Sequence, residues 1–192
     1  MDELAPHLPL ELDFRHEASN LRRCRDFFCP PSSSSDSDGA GGGSLAGRVV
    51  VPDVVDLLSS HRVLSMSFEH GVRLTDGKGI DELGIERGAV TRLLSEAFCS
   101  QIFLGGFVHC DPHPGNLLVR CHPNGRPGEP QLVLLDHGLY RDIPETFQLV
   151  YARLWRGLIT GNADLIKAQA RSLPWPGVPC PPPPCLDIPS PR

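Results

Sequence analysis

Three polar residues stand at fixed intervals around two apolar segments, and their spacing constrains this chain more than any other feature. Asp111 and Asn116 lie five positions apart in a loop rich in proline and glycine, and Asp136 follows the apolar segment 131–135. One carboxylate can position a hydroxyl group, while an amide oxygen and a second carboxylate can hold Mg²⁺ on the phosphates of a nucleotide. The spacing is therefore typical of a phosphoryl-transfer site.

The two apolar segments predict a β-hairpin that brings these residues together. Segments 116–120 and 131–136 read as strands, and the loop 121–130 between them is dense in turn residues. Antiparallel pairing places Asn116, at the start of one strand, beside Asp136, at the end of the other. We therefore expect both candidate metal ligands at the same end of the hairpin.

Helices are predicted on both sides of this hairpin. Apolar residues at helical spacing predict an amphipathic helix over about 87–104, which Gly105 and Gly106 end before the chain reaches Asp111. After the hairpin, the segment 142–145 resembles a helix start, with Asp142 as its capping residue. Gly161 ends this helix, and Asn162 caps a second one that extends to about residue 171.

The N-terminal part predicts one helix and two short strands. Helical spacing extends over about residues 9–27, with Glu17 beside the apolar stripe and Glu11 and Arg15 as an i,i+4 pair. Segments 48–52 and 62–68 read as strands. The second strand ends at Glu69, which we name as a candidate for the hinge that contacts the adenine of a nucleotide.

These motifs resemble the UbiB family of atypical kinases, also known as aarF-domain-containing kinases. The resemblance rests on H-x-D-x-x-x-x-N at 109–116, on D-H-G at 136–138 and on the segment 11–20. Small-molecule kinases of the aminoglycoside phosphotransferase type carry a similar loop, but the N-terminal E-x-D pair, Glu11 and Asp13, separates the two families. The match covers about residues 1–27 and 49–172. It implies an α+β, protein-kinase-like fold with part of a small lobe and the core of a large lobe.

The resemblance also implies the cofactors, ATP and Mg²⁺, and a role for each site residue. Asp111 is then the catalytic aspartate, Asn116 and Asp136 are metal ligands, and Glu17 is the glutamate of helix C that pairs with a nucleotide-binding lysine. No strand with that lysine and no phosphate-binding loop precedes Met1. We therefore expect the chain to begin at helix C and to transfer phosphate poorly. The alternative is a non-catalytic, pseudokinase-like binding or scaffold module.

Partners and location are implied by the family and limited by composition. The family is associated with mitochondria and with isoprenoid-quinone lipid metabolism, so the resemblance implies a mitochondrial protein with a nucleotide and a protein or lipid acceptor as partners. The formal charge of −5, from 18 basic and 23 acidic residues, gives no reason to expect nucleic-acid binding. No apolar run of about 18 residues predicts a transmembrane segment.

Two segments interrupt the periodic pattern and suggest domain boundaries. We expect a helix C segment at 1–28, a disordered Ser/Gly linker at 29–47, a kinase-like domain at 48–173 and a disordered Pro-rich tail at 174–192. Phosphorylation of the linker serines and recognition of the tail as a polyproline ligand are the alternatives to plain spacers.

Seven cysteines without C-x-x-C spacing predict free thiols. Histidines and cysteines near Asp111 raise the alternative of a zinc site, but their order fits no zinc motif, and Pro112 and Pro114 prevent a helix that would align two ligands. We expect instead that His113 braces the loop and that His109 packs beneath it.

Overall fold

A computed structural model describes residues 13–29 and 45–173 of the chain. The chain divides into two compact units, residues 1–142 and residues 143–192. The first unit mixes helices with β-sheet, as the α+β prediction requires. The helices of the first unit are α1 Phe14–Phe28, α2 Gly77–Glu82 and α3 Arg87–Ser100, and its strands are β1 Val49–Val50, β2 Val72–Arg73, β3 Phe107–His109, β4 Leu117–Cys121, β5 Pro130–Leu134 and β6 Tyr140–Asp142.

Helix α1 begins later than the predicted start near residue 9. Asp13 has extended backbone angles, φ −113° and ψ 98°, and its side chain caps the helix by accepting a hydrogen bond of 3.0 Å from the Arg15 N–H. Arg15 also forms an ion pair of 2.6 Å with Asp13, whereas Glu11 lies outside the described residues. The apolar face of α1 is fully buried in the core at Leu21 and Phe28.

The predicted hairpin is the centre of a four-stranded sheet. Strands β4 and β5 pair antiparallel, with Leu117 opposite Leu134 at one end and Cys121 opposite Pro130 at the other. The sheet order is β1-β5-β4-β2, in which β1 runs parallel to β5 and β2 antiparallel to β4. Every residue of β5 is buried, because the strand lies in the middle of the sheet and belongs to the core.

The predicted strands at 48–52 and 62–68 are only partly formed. The first shortens to Val49–Val50, and the second is replaced by a single bridge between Val54 and Met66. Serine side chains compete with strand pairing in this region, since the Ser65 N–H donates to Ser59 Oγ at 3.0 Å and the Asp53 N–H donates to Ser67 Oγ at 2.9 Å. Strand β2 and helix α2 were not predicted.

Helix α3 leads into the loop that carries Asp111. It follows the prediction up to Ser100 and then continues as a π-helical turn, Gln101–Gly105. Gly106 adopts the left-handed conformation, with φ 63°, and turns the chain into β3. Strand β3 pairs antiparallel with β6, with His109 opposite Tyr140, so the segments that flank the Asp111 loop and the D-H-G motif form one ribbon.

The second unit consists of helix α4, Glu145–Thr160, and helix α5, Ala163–Ser172. Asp142 does not cap α4, because it belongs to β6 and forms an ion pair with Arg23, and Pro144 takes the capping position. Gly161 ends α4 with φ 66°, and the Asn162 side chain accepts a hydrogen bond of 3.0 Å from the Leu165 N–H at the start of α5, both as predicted.

The predicted linker ends earlier than residue 47. Leu45 is 2% exposed and belongs to the hydrophobic core, and Ala46 forms a bridge with Val49. Residues 30–44 and 174–192 lie outside the described residues, and with them the expectations of disorder, phosphorylation and polyproline recognition. None of the helices in residues 13–29 and 45–173 combines the length and the apolar character that crossing a bilayer requires.

Candidate functional site

Asn116 and Asp136 meet at one end of the β4–β5 hairpin. The Asn116 Nδ2 atom donates a hydrogen bond of 2.7 Å to Asp136 Oδ2. The hairpin itself imposes this approach, since the Leu135 N–H donates to the Asn116 carbonyl at 3.0 Å. The Gly138 N–H donates to the other carboxylate oxygen of Asp136 at 2.9 Å. The meeting of the two side chains follows the prediction from antiparallel pairing.

The pair Asn116 and Asp136 has the donor chemistry that suits Mg²⁺. Asn116 donates to the carboxylate through its amide nitrogen, and its amide oxygen is a further acceptor, while each carboxylate oxygen of Asp136 has more than one lone pair. Mg²⁺ takes hard oxygen ligands, and it is commonly held by one or two side chains together with phosphate oxygens and water. The two side chains would therefore fit Mg²⁺ as oxygen ligands.

Asp111 lies in a compact loop that other residues of the loop hold in shape. Its N–H donates to His109 Nδ1 at 3.2 Å, and its carbonyl accepts a bond of 2.7 Å from the His113 N–H. The His113 ring accepts a bond of 3.1 Å from the Gly115 N–H and caps the 3-10 turn Pro114–Asn116, so it braces the loop as predicted. Asp111 itself is exposed, so its carboxylate is accessible to a substrate.

His109 packs beneath this loop, also as predicted. It is 4% exposed, its ring stacks on Tyr140 with centroids 4.9 Å apart, and its N–H donates to Gln101 Oε1 at 3.1 Å. Burial lowers the pKa of His109, against the opposing effect of the negative charges of Asp136 and Asp111. A neutral His109 thus links helix α3 to the Asp111 loop.

Glu17 reaches the metal-binding candidates from helix α1. Its Oε1 atom accepts a bond of 3.3 Å from the His137 N–H, directly after Asp136 in the chain. Burial raises the pKa of Glu17, the negative charge of Asp136 raises it further, and the bond from His137 opposes both effects. A positive charge near Glu17 and Asp136 would offset the repulsion between the two carboxylates.

Glu69, the hinge candidate, is tied to strand β4. Its carboxylate accepts bonds of 2.9 Å from Arg120 Nη1 and 3.0 Å from Ser67 Oγ. Arg120 also donates to the His70 carbonyl at 3.3 Å. Because these bonds occupy the carboxylate, any contact with an adenine edge would come from backbone groups of the segment.

Sequence reasoning missed three residues that surround the D-H-G motif. Asn20 donates a bond of 3.0 Å to the His137 carbonyl, Tyr140 contacts the His137 ring, and the side chain of Gln101 holds the His109 N–H. Asn20 lies three positions after Glu17, one helical turn along the same face. That spacing is the one sequence signal that could have identified it.

The described part of the chain holds no group of three or more His, Cys, Asp or Glu residues placed to bind a metal ion. Its five cysteines, Cys24, Cys29, Cys99, Cys110 and Cys121, are all free.

A family model and individual relatives of this chain indicate the same protein family. A family model described as the ABC1 atypical kinase-like domain matches residues 1–170. The AarF domain-containing protein kinase 1 of Gallus gallus is 34% identical over 173 residues, which is 90% of this chain and 30% of that protein. The ABC1 family protein lscO of Purpureocillium lilacinum is 38% identical over 182 residues, covering 88% of this chain and 29% of that protein.

A solved structure supports the fold. The structure of a complex of Rv3197 with erythromycin, from Mycobacterium tuberculosis, superposes with a TM-score of 0.61 at 24% identity and covers 93% of this chain and 40% of that one. The chain spans from 22% to 31% of the length of the curated relatives it matches first.

Proposed function

The chain belongs to the ABC1 atypical kinase-like family, and on that basis we propose that it binds ATP through Mg²⁺ and takes part in transfer of the γ-phosphoryl group. The observation that carries the proposal is the contact of 2.7 Å between Asn116 and Asp136 at one end of the hairpin. An amide and a carboxylate at this separation are the residue pair that a kinase-like site uses to hold Mg²⁺ on phosphates.

In this proposal each residue has a distinct task. Mg²⁺ supplies positive charge that offsets the charge of the phosphates. Asn116 and Asp136 hold that ion, and the exposed carboxylate of Asp111 orients the acceptor hydroxyl and accepts its proton. The stiff loop around Asp111 supports this task, because positioning and electrostatic stabilisation account for most of the catalysis of phosphoryl transfer.

Glu17 and Glu69 have supporting tasks. We assign Glu17 to orienting a cation beside the phosphates, and the raised pKa of this carboxyl beside Asp136 supports that assignment. Glu69 keeps the segment 68–70 against β4 through Arg120, so that its backbone can meet the adenine edge.

The acceptor and the cellular location follow from the family association alone. We propose a protein or lipid acceptor, in mitochondria, with a link to isoprenoid-quinone lipid metabolism. Nothing in the composition points to nucleic acid as a partner.

Titration calorimetry tests nucleotide binding. ATP should bind with Mg²⁺ present and bind at least tenfold more weakly without it, because the phosphates would otherwise meet Asp136 and Asp111 with no charge between them. Asp136→Ala should remove this dependence on Mg²⁺. Asp26→Ala, which removes an exposed carboxylate at the far end of α1, should leave it intact. If the unsubstituted chain and Asp136→Ala bind ATP with equal affinity in the presence of Mg²⁺, the nucleotide site does not include Asp136.

Turnover separates the proposal from its alternative. Release of phosphate from ATP, above the level of an Asp111→Asn variant, would support phosphoryl transfer. Metal-dependent binding with turnover no higher than in Asp111→Asn would favour the pseudokinase-like binding module.

A further inference from the structure

His137 lies where three parts of the first unit meet. Its backbone N–H donates to Glu17 at 3.3 Å, and its carbonyl accepts from Asn20 at 3.0 Å, so both backbone groups bond to helix α1. Its ring bonds to the end of β5 and to the start of β6, with Nε2 3.1 Å from the Leu134 carbonyl and Nδ1 3.0 Å from Tyr140 Oη. The whole residue is buried, with 0% of its surface exposed.

The partners of the ring determine its protonation. A carbonyl oxygen only accepts hydrogen bonds, so Nε2 must carry a hydrogen and donate to Leu134. Because Nε2 carries the hydrogen of the neutral ring, Nδ1 has a lone pair. The Tyr140 hydroxyl therefore donates to Nδ1. One tautomer satisfies both contacts.

The contacts of the ring continue toward the Asp111 loop. Tyr140 stacks on His109, with centroids 4.9 Å apart. The Gln101 side chain donates to Cys24 at 3.7 Å and accepts from the His109 N–H at 3.1 Å. His137, next to Asp136, and His109, two positions before Asp111, therefore belong to one buried polar cluster. The cluster is formed by Cys24, Gln101, His109, His137 and Tyr140.

A phenylalanine at position 137 would fill the space but make neither ring bond. It would remove one hydrogen-bond partner from the Leu134 carbonyl and one from the Tyr140 hydroxyl, which also bonds to Cys24 and Gln101. The His137 ring and the Tyr140 hydroxyl thus each supply a hydrogen-bond partner to the other.

We propose that His137 is a positioning residue whose ring, held between Leu134 and Tyr140, fixes the segment 136–138 so that Asp136 can bind the metal ion. The inference rests on the proposed function, in which Asp136 is a metal ligand. His137 acts through Asp136 and touches neither metal nor nucleotide. The backbone of His137 also bonds to Glu17 and Asn20. By fixing His137, the ring contacts therefore also fix the position of helix α1 relative to the segment 136–138.

The first experiment measures the apparent affinity for Mg²⁺ at a fixed ATP concentration, in the unsubstituted chain, His137→Phe, Tyr140→Phe and the double variant. His137→Phe should weaken Mg²⁺ binding about tenfold, which is at the lower end of the cost of removing hydrogen-bond partners from buried polar groups. Tyr140→Phe should weaken it several-fold. Because both changes break the bond between His137 Nδ1 and the Tyr140 hydroxyl, the loss in the double variant should be smaller than the sum of the two single losses.

His61→Phe is the matched control, since it makes the same chemical change at an exposed histidine and should leave the affinity for Mg²⁺ unchanged. Equal affinities in the unsubstituted chain and both single variants, or fully additive losses in the double variant, would overturn the inference while leaving the proposed function intact. An unsubstituted chain without Mg²⁺-dependent ATP binding would overturn the proposed function and the inference together.

The second experiment needs neither metal nor nucleotide, and it decides the matter if His137→Phe does not fold. Nitrogen NMR of the chain labelled at histidine should show His137 protonated at Nε2 and accepting a hydrogen bond at Nδ1. In Tyr140→Phe only the Nδ1 signal should shift, with the tautomer retained. A His137 ring protonated at Nδ1, or an Nδ1 signal indifferent to Tyr140→Phe, would contradict the inference.

Discussion

At the scale of single residues, burial changes the chemistry of Cys24 more than that of its neighbours on helix α1. The side chain is 1% exposed, and burial is the main reason that its pKa rises from 9.0 to about 12. Burial also raises the pKa of Tyr140. Both groups are neutral acids whose ionised forms are disfavoured in the folded chain.

The stability of the fold should therefore fall at high pH. An acid with a raised folded pKa contributes fully below its unfolded pKa, and its contribution is lost as the pH rises from about 9 toward 12. In that window the titration of Cys24 lowers the free energy of unfolding by about 1.4 kcal/mol per pH unit. Chemical denaturation across this range measures the slope. Cys24→Ala should flatten it, whereas Cys99→Ala, at an exposed cysteine, should not, and equal slopes in all three proteins would contradict the assignment to Cys24.

The sequence located the residues of the candidate site that carry a motif, Asp111, Asn116, Asp136 and Glu17, but not those that hold them. Asn20 and His137 are 117 positions apart, and no local pattern signals that pairing. Gln101 bonds to Cys24, 77 positions away in the chain, and Tyr140 stacks on His109 only when β3 pairs with β6. Short motifs can be recognised in a sequence because the reaction requires their residues at a set spacing. Tertiary contacts have no set spacing, so they cannot be recognised in this way.

At the scale of elements, Arg23 connects helix α1 to the ribbon of β3 and β6. The Arg23 guanidinium lies 3.8 Å from the centre of the Phe107 ring and forms an ion pair with Asp142. Both partners belong to the ribbon that flanks the Asp111 loop. The orientation of Glu17 toward Asp136 thus depends on a contact two turns further along the helix.

Arg23→Ala should lower the free energy of unfolding by about 1–2 kcal/mol, mostly through the lost cation–π contact, because the ion pair is half exposed and screened. Hydrogen exchange of residues 14–28 should also become faster. Arg15→Ala removes an arginine whose ion pair is with the neighbouring Asp13, and it should leave exchange in the rest of α1 unchanged. If Phe107→Leu and Arg23→Ala have additive effects, the two side chains do not interact.

Long periodic segments were predictable as elements, and short ones were not. The hairpin, helix α3 and the pair α4 and α5 follow from apolar spacing and from glycine and asparagine at their ends. Strand β2 has two residues, Val72 and Arg73, too few to show a period. Segment 62–68 keeps backbone bonds to Asp53 and Val55, but serine hydroxyls bond to neighbouring backbone groups and only a single bridge forms.

At the scale of the whole molecule, the candidate site lies within one of two units. Its residues fall between Glu17 and Gly138, all in the unit that ends at residue 142. The helix pair of the second unit has its own close approach, because a Cβ atom on Gly157 would come within 3.0 Å of the Ile166 side chain and 3.2 Å of its backbone nitrogen.

Gly157→Val should therefore destabilise the pair α4 and α5 by about 1–3 kcal/mol through overpacking, and leave Mg²⁺-dependent ATP binding unchanged. Hydrogen exchange of residues 145–172 reports the first effect, and calorimetry reports the second. Arg153→Val, at an exposed position of α4, controls for the loss of helix propensity. Weaker nucleotide binding in Gly157→Val alone would show that the site depends on the second unit.

The register of the β4–β5 hairpin also has an evolutionary consequence. Asn116 and Asp136 adjoin the end where Leu117 faces Leu134, whereas the loop 122–129 closes the other end, beyond Cys121 and Pro130. Four residue steps along a strand separate the two ends by about 13 Å. Insertions and deletions can therefore accumulate in this loop over many generations, and descendants of one ancestor can differ there in length, while the distance between the amide and the carboxylate is inherited unchanged.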